Sequence, residues 1–361
     1  MTEPRVTEID PLADHRWDEF VTAQTDAVVY QHSAWLRCLL AEYERPLTGL
    51  CCEDPDGALS GVLPLLATRG IPGLRGNATF GARTSSLPRT PVAGPLARDR
   101  ASAAALMRAA VALARARSAG LQVKRSGPDL DGLAADVGGM AWRRGYVLAL
   151  PRDPEALRFG NSRNHGRIKW AVNRAHRDGV GVRDANGLPE VHAWYRLYLH
   201  TMREVVVPPR PLRLFEAMWR ELVPRGLMRF HLAEREGSLI GGSIVLGLGR
   251  TAFYAFNGRL RSALHHRPNE VTQWEAIHAA CRAGYERYDL GEVSDGNEGL
   301  AEFKRKWGAD EVRLHRYYHP PPEGEPSHGG PGAAARAAAA VWQRAPLSAT
   351  RVAGDLAYRW M

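Results

Sequence analysis

Gly299-Leu300-Ala301-Glu302-Phe303-Lys304-Arg305-Lys306-Trp307-Gly308 is the stretch from which the fold is read. The chain holds 48 Lys plus Arg, yet lysine stands only at positions 124, 169, 304 and 306. Lys304 and Lys306 therefore share one short segment, beside two aromatics and between two glycines. Lysine is a compact, mobile point charge whose pKa its surroundings can move; arginine is a fixed fork. A small developing oxyanion calls for the former. By count alone, chance in a surface loop of an arginine-rich chain explains the pair as well.

Just upstream, Glu286–Leu290 reads as a strand, with Asp289 as its last polar residue and a candidate partner for a substrate amine. A helix over Asn269–Ala283 precedes it, opened by Pro268 and stopped by Gly284. Before that, Leu227–Glu236, Leu239–Leu248 and Thr251–Asn257 read as three antiparallel strands. Alternation along the third puts Phe253, Ala255 and Asn257 on one side and Tyr254 and Phe256 on the other. Tyr254 either serves as a proton donor or carbonyl holder near the strand exit or is a core aromatic. Asn257 joins it as a candidate substrate-binding residue. Downstream, Val312–Tyr318 is the last strand.

Ser162–Asp178 reads as a basic helix. Arg163, Arg167, Trp170, Arg174 and Arg177 share one face, and Ile168, Ala171, Val172 and Ala175 form the opposite, core-facing stripe. A cationic face with one aromatic suits a phosphate backbone; a solvated helix face is the alternative. Helices follow over Val191–Val205 and Leu212–Leu222.

The first part of the chain runs in a similar order. Trp17–Phe20 and Tyr30–Tyr43 read as helical, then Leu47–Glu53 and Ala58–Leu66 as strands around the Asp56-Gly57 turn. A long loop over Thr68–Pro95 leads to a helix at Ala101–Ala119 and strands at Leu121–Lys124 and Trp142–Leu150. The repeated order gives domains at 1–150 and 151–320. Residues 321–361 are a Pro/Gly linker and an alanine-rich helical tail, which docks on the body or touches a membrane surface.

With 45% hydrophobic and 24% charged residues, the 361-residue chain is an ordinary globular one. Its formal charge of +9 favours anionic partners without choosing among them. No apolar run approaches the ~18 residues of a membrane span. The polar N-terminus does not read as a signal peptide. Cys38, Cys51, Cys52 and Cys281 lack metal spacing, so reduced thiols in a cytoplasmic protein and no metal site are expected. No HExxH, GxSxG or GxxxxGK[ST] motif is present.

Tyr254-Ala255-Phe256-Asn257-Gly258, Pro268-Asn269, Tyr288-Asp289-Leu290-Gly291, Gly299-Leu300-Ala301-Glu302-Phe303-Lys304-Arg305 and Trp307-Gly308 together resemble the FemABX family. The helix ending in His176-Arg177-Asp178-Gly179-Val180 and the opening Tyr30-Gln31-His32-Ser33-Ala34-Trp35-Leu36 are similar to elements of the same family. The resemblance covers most of residues 10 to 320.

It implies an α/β (α+β) architecture of tandem GNAT-like domains, each a mixed, mainly antiparallel sheet flanked by helices. It also implies an aminoacyltransferase that forms an amide bond, as in peptidoglycan cross-bridges or small-molecule pathways, with aminoacyl-tRNA as co-substrate and no further cofactor. Lys304 would stabilise the reacting carbonyl, with Phe303 packed beside it. The family's coiled-coil arm, present in some members, is missing here.

The basic helix, Arg259 and Arg261 are the candidates to hold phosphates of the donor or of a lipid- or nucleotide-linked amine acceptor. DNA is not an expected partner. The expected location is the cytoplasm, including the inner face of the membrane. An acyl-CoA-dependent N-acyltransferase of the same fold is the first alternative. Such enzymes hold the pyrophosphate on an Arg-x-x-Gly-x-Gly/Ala loop. Here Arg259-Leu260-Arg261-Ser262-Ala263-Leu264 carries no glycine, and Arg69-Gly70-Ile71-Pro72-Gly73-Leu74-Arg75-Gly76 matches only loosely. A non-catalytic RNA- or membrane-binding protein of this fold is the second.

Overall fold

The computed structural model describes residues 4–69, 82–322 and 333–360. The Arg69–Gly76 loop and the Pro320–Gly332 linker lie mainly outside these residues.

In chain order the elements are β1 (Arg5–Ile9), α1 (His15–Ala23), α2 (Ser33–Tyr43), β2 (Leu47–Glu53), β3 (Leu59–Thr68), β4 (Arg83–Ser85), β5 (Leu96–Ala97), α3 (Arg100–Ala116), β6 (Gly120–Arg125) and β7 (Gly138–Ala149). They continue with α4 (Ser162–Arg177), β8 (Gly181–Asp184), α5 (Leu188–Glu204), α6 (Leu212–Leu222), β9 (Met228–Arg235), β10 (Ser238–Leu248), β11 (Thr251–Arg259) and α7 (Pro268–Arg282). The last are β12 (Arg287–Val293), α8 (Glu298–Lys306), β13 (Asp310–His319), α9 (Ala333–Arg344) and α10 (Leu347–Trp360). The architecture is mixed α/β, with mainly antiparallel strands flanked by helices.

The chain divides into two compact units, Met1–Gly145 with Val312–Ser327 and Arg359–Met361, and Tyr146–Glu311 with His328–Tyr358. In the first, β1, β2, β3 and β4 pair antiparallel in sequence order. β4 then pairs parallel with β6, which pairs antiparallel with β13. The sequence reading placed the Val312–Tyr318 strand in the second half. From Val312 onward its residues belong with the first unit, because their hydrogen bonds go to β6, nearly 200 residues away in the chain. The alanine-rich α3 buries Leu106, Met107, Ala110, Val111 and Ala114 against Leu63, Leu65, Leu121, Val123 and Tyr317.

In the second unit β8, β9, β10 and β11 are antiparallel neighbours, and β11 is parallel to β12. Each unit therefore holds one parallel pair within an antiparallel series. α4 and α7 cover one face. The expected stripe of α4, Ile168, Ala171, Val172 and Ala175, is its buried set. Full burial of an aliphatic such as Ile168 contributes about 1.5–3 kcal/mol. α5 and α6 cover the other face through Trp194, Tyr198 and Phe215, which meet Phe230 and Phe256 edge to face. α5 lies so close that a Cβ on Gly258 would sit 2.8 Å from the Tyr198 backbone nitrogen and 2.9 Å from the Trp194 Nε1.

Two expectations fail here. Residues 298–306 form a helix, α8, where a loop was expected. β12 runs on to Val293, so Asp289 is not its last polar residue. Among the described residues no helix is long and apolar enough to cross a membrane.

Candidate active site

β11 and β12 pair at only three positions, Thr251 with Arg287, Ala252 with Tyr288 and Phe253 with Asp289. Beyond Phe253 the two strands no longer pair with each other, and an extended ligand can lie between their facing edges. Immediately after this point β11 carries a bulge. Ile244 of β10 faces Phe256 and Val245 faces Tyr254, so Ala255 is the extra residue. A bulge shifts the alternation by one place. Tyr254 consequently packs with the α4/α7 core, and Phe256 with Tyr198 and Phe215. The expected sharing of one side by Tyr254 and Phe256 is thus overturned. The bulge puts Tyr254 and Asn257 on the same side instead, with the Asn257 amide beside the Tyr254 hydroxyl. The Asn257 Nδ2 is buried with no protein partner, the kind of donor that a ligand carbonyl satisfies. Burial pushes the Tyr254 hydroxyl above its usual range.

Lys304 comes from α8. The Asn297 Oδ1 caps this helix, accepting from the Leu300 N–H at 3.3 Å. Ala301 and Lys304 form its buried side, and fully buried Trp307 anchors its end. Phe303 packs against the same core, with its ring 6.3 Å from that of Trp307. The Lys304 Nζ donates to the backbone carbonyl of Gly291 at 2.8 Å and of Glu292 at 3.1 Å. It also lies 5.8 Å from the centre of the Tyr146 ring. Only 6% of Lys304 is exposed. An ammonium has three donors, and these two bonds leave one for a substrate oxygen.

Gly291 makes this possible. Its φ of +83° is in the left-handed region, which turns its carbonyl and the next one toward the lysine. The Asp289 Oδ1 accepts from the Gly291 N–H at 2.6 Å, fixing the turn. Asp289 thus helps to shape the lysine's seat. Burial raises its carboxyl to about 6, against the pull of the Gly291 N–H and of Lys304. Burial lowers Lys304 to about 8, partly offset by Asp289 and then Glu292. The ammonium is therefore mostly charged at pH 7, but close to titrating.

The other candidates do not converge on this lysine. Arg163 and Arg167 are exposed on α4, and Trp170 is 54% exposed with the Arg267 guanidinium 6.0 Å from its ring centre. Arg174 pairs with Asp178 at 3.0 Å, so the basic face is relieved at its C-terminal end. Arg259 and Arg261 both contact Glu204, at 2.9 and 3.0 Å. Glu204 and Tyr146 carry no signal in the sequence; Gly291 stood inside the quoted Tyr288–Gly291 motif.

Residues 161–305 match the family model for the acetyltransferase (GNAT) domain. The UDP-N-acetylmuramoylpentapeptide-lysine N(6)-alanyltransferase of Weissella viridescens is 30% identical over 176 residues, 47% of this chain and 51% of that protein. The chain thus matches about half the length of this curated relative. Among solved structures, FemX superposes with a TM-score of 0.67 at 14% identity, covering 86% of this chain and 96% of that one. The C-terminal domain of a putative lysylphosphatidylglycerol synthetase from Agrobacterium fabrum gives 0.56 at 12%, covering 84% and 90%. A tandem GNAT protein from the clavulanic acid biosynthesis pathway gives 0.51 at 13%, covering 89% and 100%. At these identities the likenesses speak for the fold alone. Over residues 161–305 the chain is similar to the GNAT acetyltransferase domain, and the resemblance to the FemABX family read from the sequence is borne out.

Proposed function

We propose that this protein is an acyltransferase that forms an amide bond, moving an aminoacyl group from aminoacyl-tRNA to an amine on a peptidoglycan precursor. The observation that carries the reading is the buried Lys304 ammonium, held beside the point where β11 and β12 part. The relationship to an alanyltransferase acting on a peptidoglycan precursor supports the substrate class.

In this mechanism the donor ester lies along the edge of β11 that has parted from β12. The acceptor amine attacks its carbonyl carbon. Negative charge gathers on the carbonyl oxygen, and the remaining Lys304 N–H stabilises it in a site with little water to screen it. The Asn257 Nδ2 holds a donor carbonyl, and Tyr254 packs beside it. Phe303 packs the wall beside the lysine. The amine's proton leaves with the departing ribose oxygen or to water. The exposed cations of α4 hold the tRNA backbone.

The test supplies purified protein with charged tRNA and, in parallel, with acyl-CoA, and follows label into an amine acceptor. Transfer from charged tRNA that is lost in Lys304→Met supports the reading. Transfer from acyl-CoA alone moves the assignment to the CoA-dependent branch. A Lys304→Met variant as active as wild type, together with loss of function on charge reversal at Arg167 and Arg174, would leave a non-catalytic RNA-binding role.

A further inference from the structure

A cavity of about 200 Å³ opens at the far end of β11, lined by His200, Arg203, Glu204, Arg259, Arg261 and Gln343. The residues come from the C-terminal end of α5, the exit of β11 and the tail helix α9. Glu204 accepts from both Arg259 and Arg261. Arg203 donates to the Ala345 carbonyl at 3.0 Å and reaches the His200 Nδ1 at 3.4 Å. The Gln343 Nε2 donates to the Glu204 carbonyl at 3.0 Å. Three guanidiniums and one carboxylate thus line one pocket, a formal excess of two positive charges. Structural arginines are normally matched by acids; here a single carboxylate serves two, and the third bonds only neutral groups.

We propose that this pocket binds a phosphate-bearing group with at least two negative charges, with Glu204 as the counter-ion it displaces from Arg259 and Arg261. Guanidiniums grip phosphate oxygens through paired N–H donors, which lysine cannot do. Burial, and then Arg203, holds His200 below its usual pKa, which favours the neutral ring. With Nδ1 accepting from Arg203, Nε2 carries the proton and is a further donor. The tail completes the pocket, since Gln343 and the Ala345 carbonyl position Glu204 and Arg203.

The location fits the reading above and deepens it. Arg259 is five residues beyond Tyr254 on the same strand, roughly 15 Å at the usual rise per residue. A substrate spanning both points holds its phosphate that far from its reacting carbon, as an extended donor or acceptor would.

Calorimetric titration of the full chain with inorganic pyrophosphate tests this without any transfer reaction. Saturable one-to-one binding is expected, weakened at least tenfold in Arg203→Gln and Arg259→Gln and strengthened in Glu204→Gln. Arg261→Gln, at a position 80% exposed, weakens binding with no risk to folding. Arg225→Gln, an exposed cation outside the pocket, retains wild-type affinity. Parallel titrations with a nucleoside diphosphate and a trinucleotide RNA tell which phosphate carrier the pocket prefers. Absence of saturable pyrophosphate binding overturns the proposal, as does equal affinity in Arg203→Gln, Arg259→Gln and Arg261→Gln. Either result leaves the transferase reading standing, because that reading rests on Lys304.

Discussion

The Lys304 Nζ sits 2.8 Å from the carbonyl oxygen of Gly291, a residue whose φ of +83° few side chains tolerate. A cation from one helix and a backbone turn from the neighbouring strand thus define each other. The turn aims two carbonyls at the ammonium, and those carbonyls replace the water that the buried charge has lost.

Lys304→Met is expected to lower kcat by about 10²–10³, the cost of removing one oxyanion donor, with donor binding largely kept. Lys304→Arg is expected not to restore the rate. A planar guanidinium is wider than an ammonium and does not fit between the Gly291 and Glu292 carbonyls. Single-turnover assays with saturating donor read both variants.

Gly291→Ala places a Cβ 3.7 Å from the Lys304 Nζ, an ordinary contact, so space is not its difficulty. The left-handed backbone is, at about 1–2 kcal/mol. Urea unfolding is expected to show a loss of that size, together with slower transfer, because relaxing φ turns the carbonyl away from the ammonium. Wild-type stability in this variant would contradict the strain argument.

The elements legible in the sequence are those specified by nearby residues. The Ile168, Ala171, Val172 and Ala175 stripe announced α4, and Asp56-Gly57 announced the β2–β3 turn. The site was legible as composition, through two of four lysines in one decapeptide, but not as geometry. Ala255 carries no mark of a bulge, yet the bulge decides that Tyr254 meets Asn257 rather than sharing a side with Phe256. The flanking glycines made α8 read as a loop. Its capping residue is Asn297, and its apolar side is only Ala301, Phe303 and the lysine stem. β1 and β8 are short and polar, and only pairing with β2 and β9 makes them strands. Glu204 is about 55 residues from the arginines it pairs with, beyond the reach of any local pattern.

Activity is expected to fall as pH rises through about 8, where Lys304 loses its proton. Asp289 is the foremost charge holding that pKa up, so Asp289→Asn moves the fall to lower pH. The same group affects stability with a definite sign. Its folded pKa, about 8, lies below the ordinary 10.5 of an unfolded chain. Between these values the unfolded chain binds more protons, so this lysine makes stability rise with pH across that window. Lys304→Met removes that slope, which unfolding midpoints at pH 7.5 and 9.5 would detect.

Arg163 and Arg167 are exposed and have no acidic neighbour on their own helix, whereas Arg174 is paired with Asp178. A phosphate backbone bound here releases counter-ions for each cation engaged. Charge reversal in Arg167→Glu is therefore expected to weaken tRNA binding and to reduce the slope of log affinity against log salt by about one. Reversal in Arg174→Glu should act less on the slope, because that cation is already partly neutralised by Asp178. Filter binding across a salt series distinguishes the two. Identical slopes for wild type and Arg167→Glu would place the tRNA backbone elsewhere on the protein. The effect should not depend on the tRNA's sequence, since a cation that touches only phosphate reads no base.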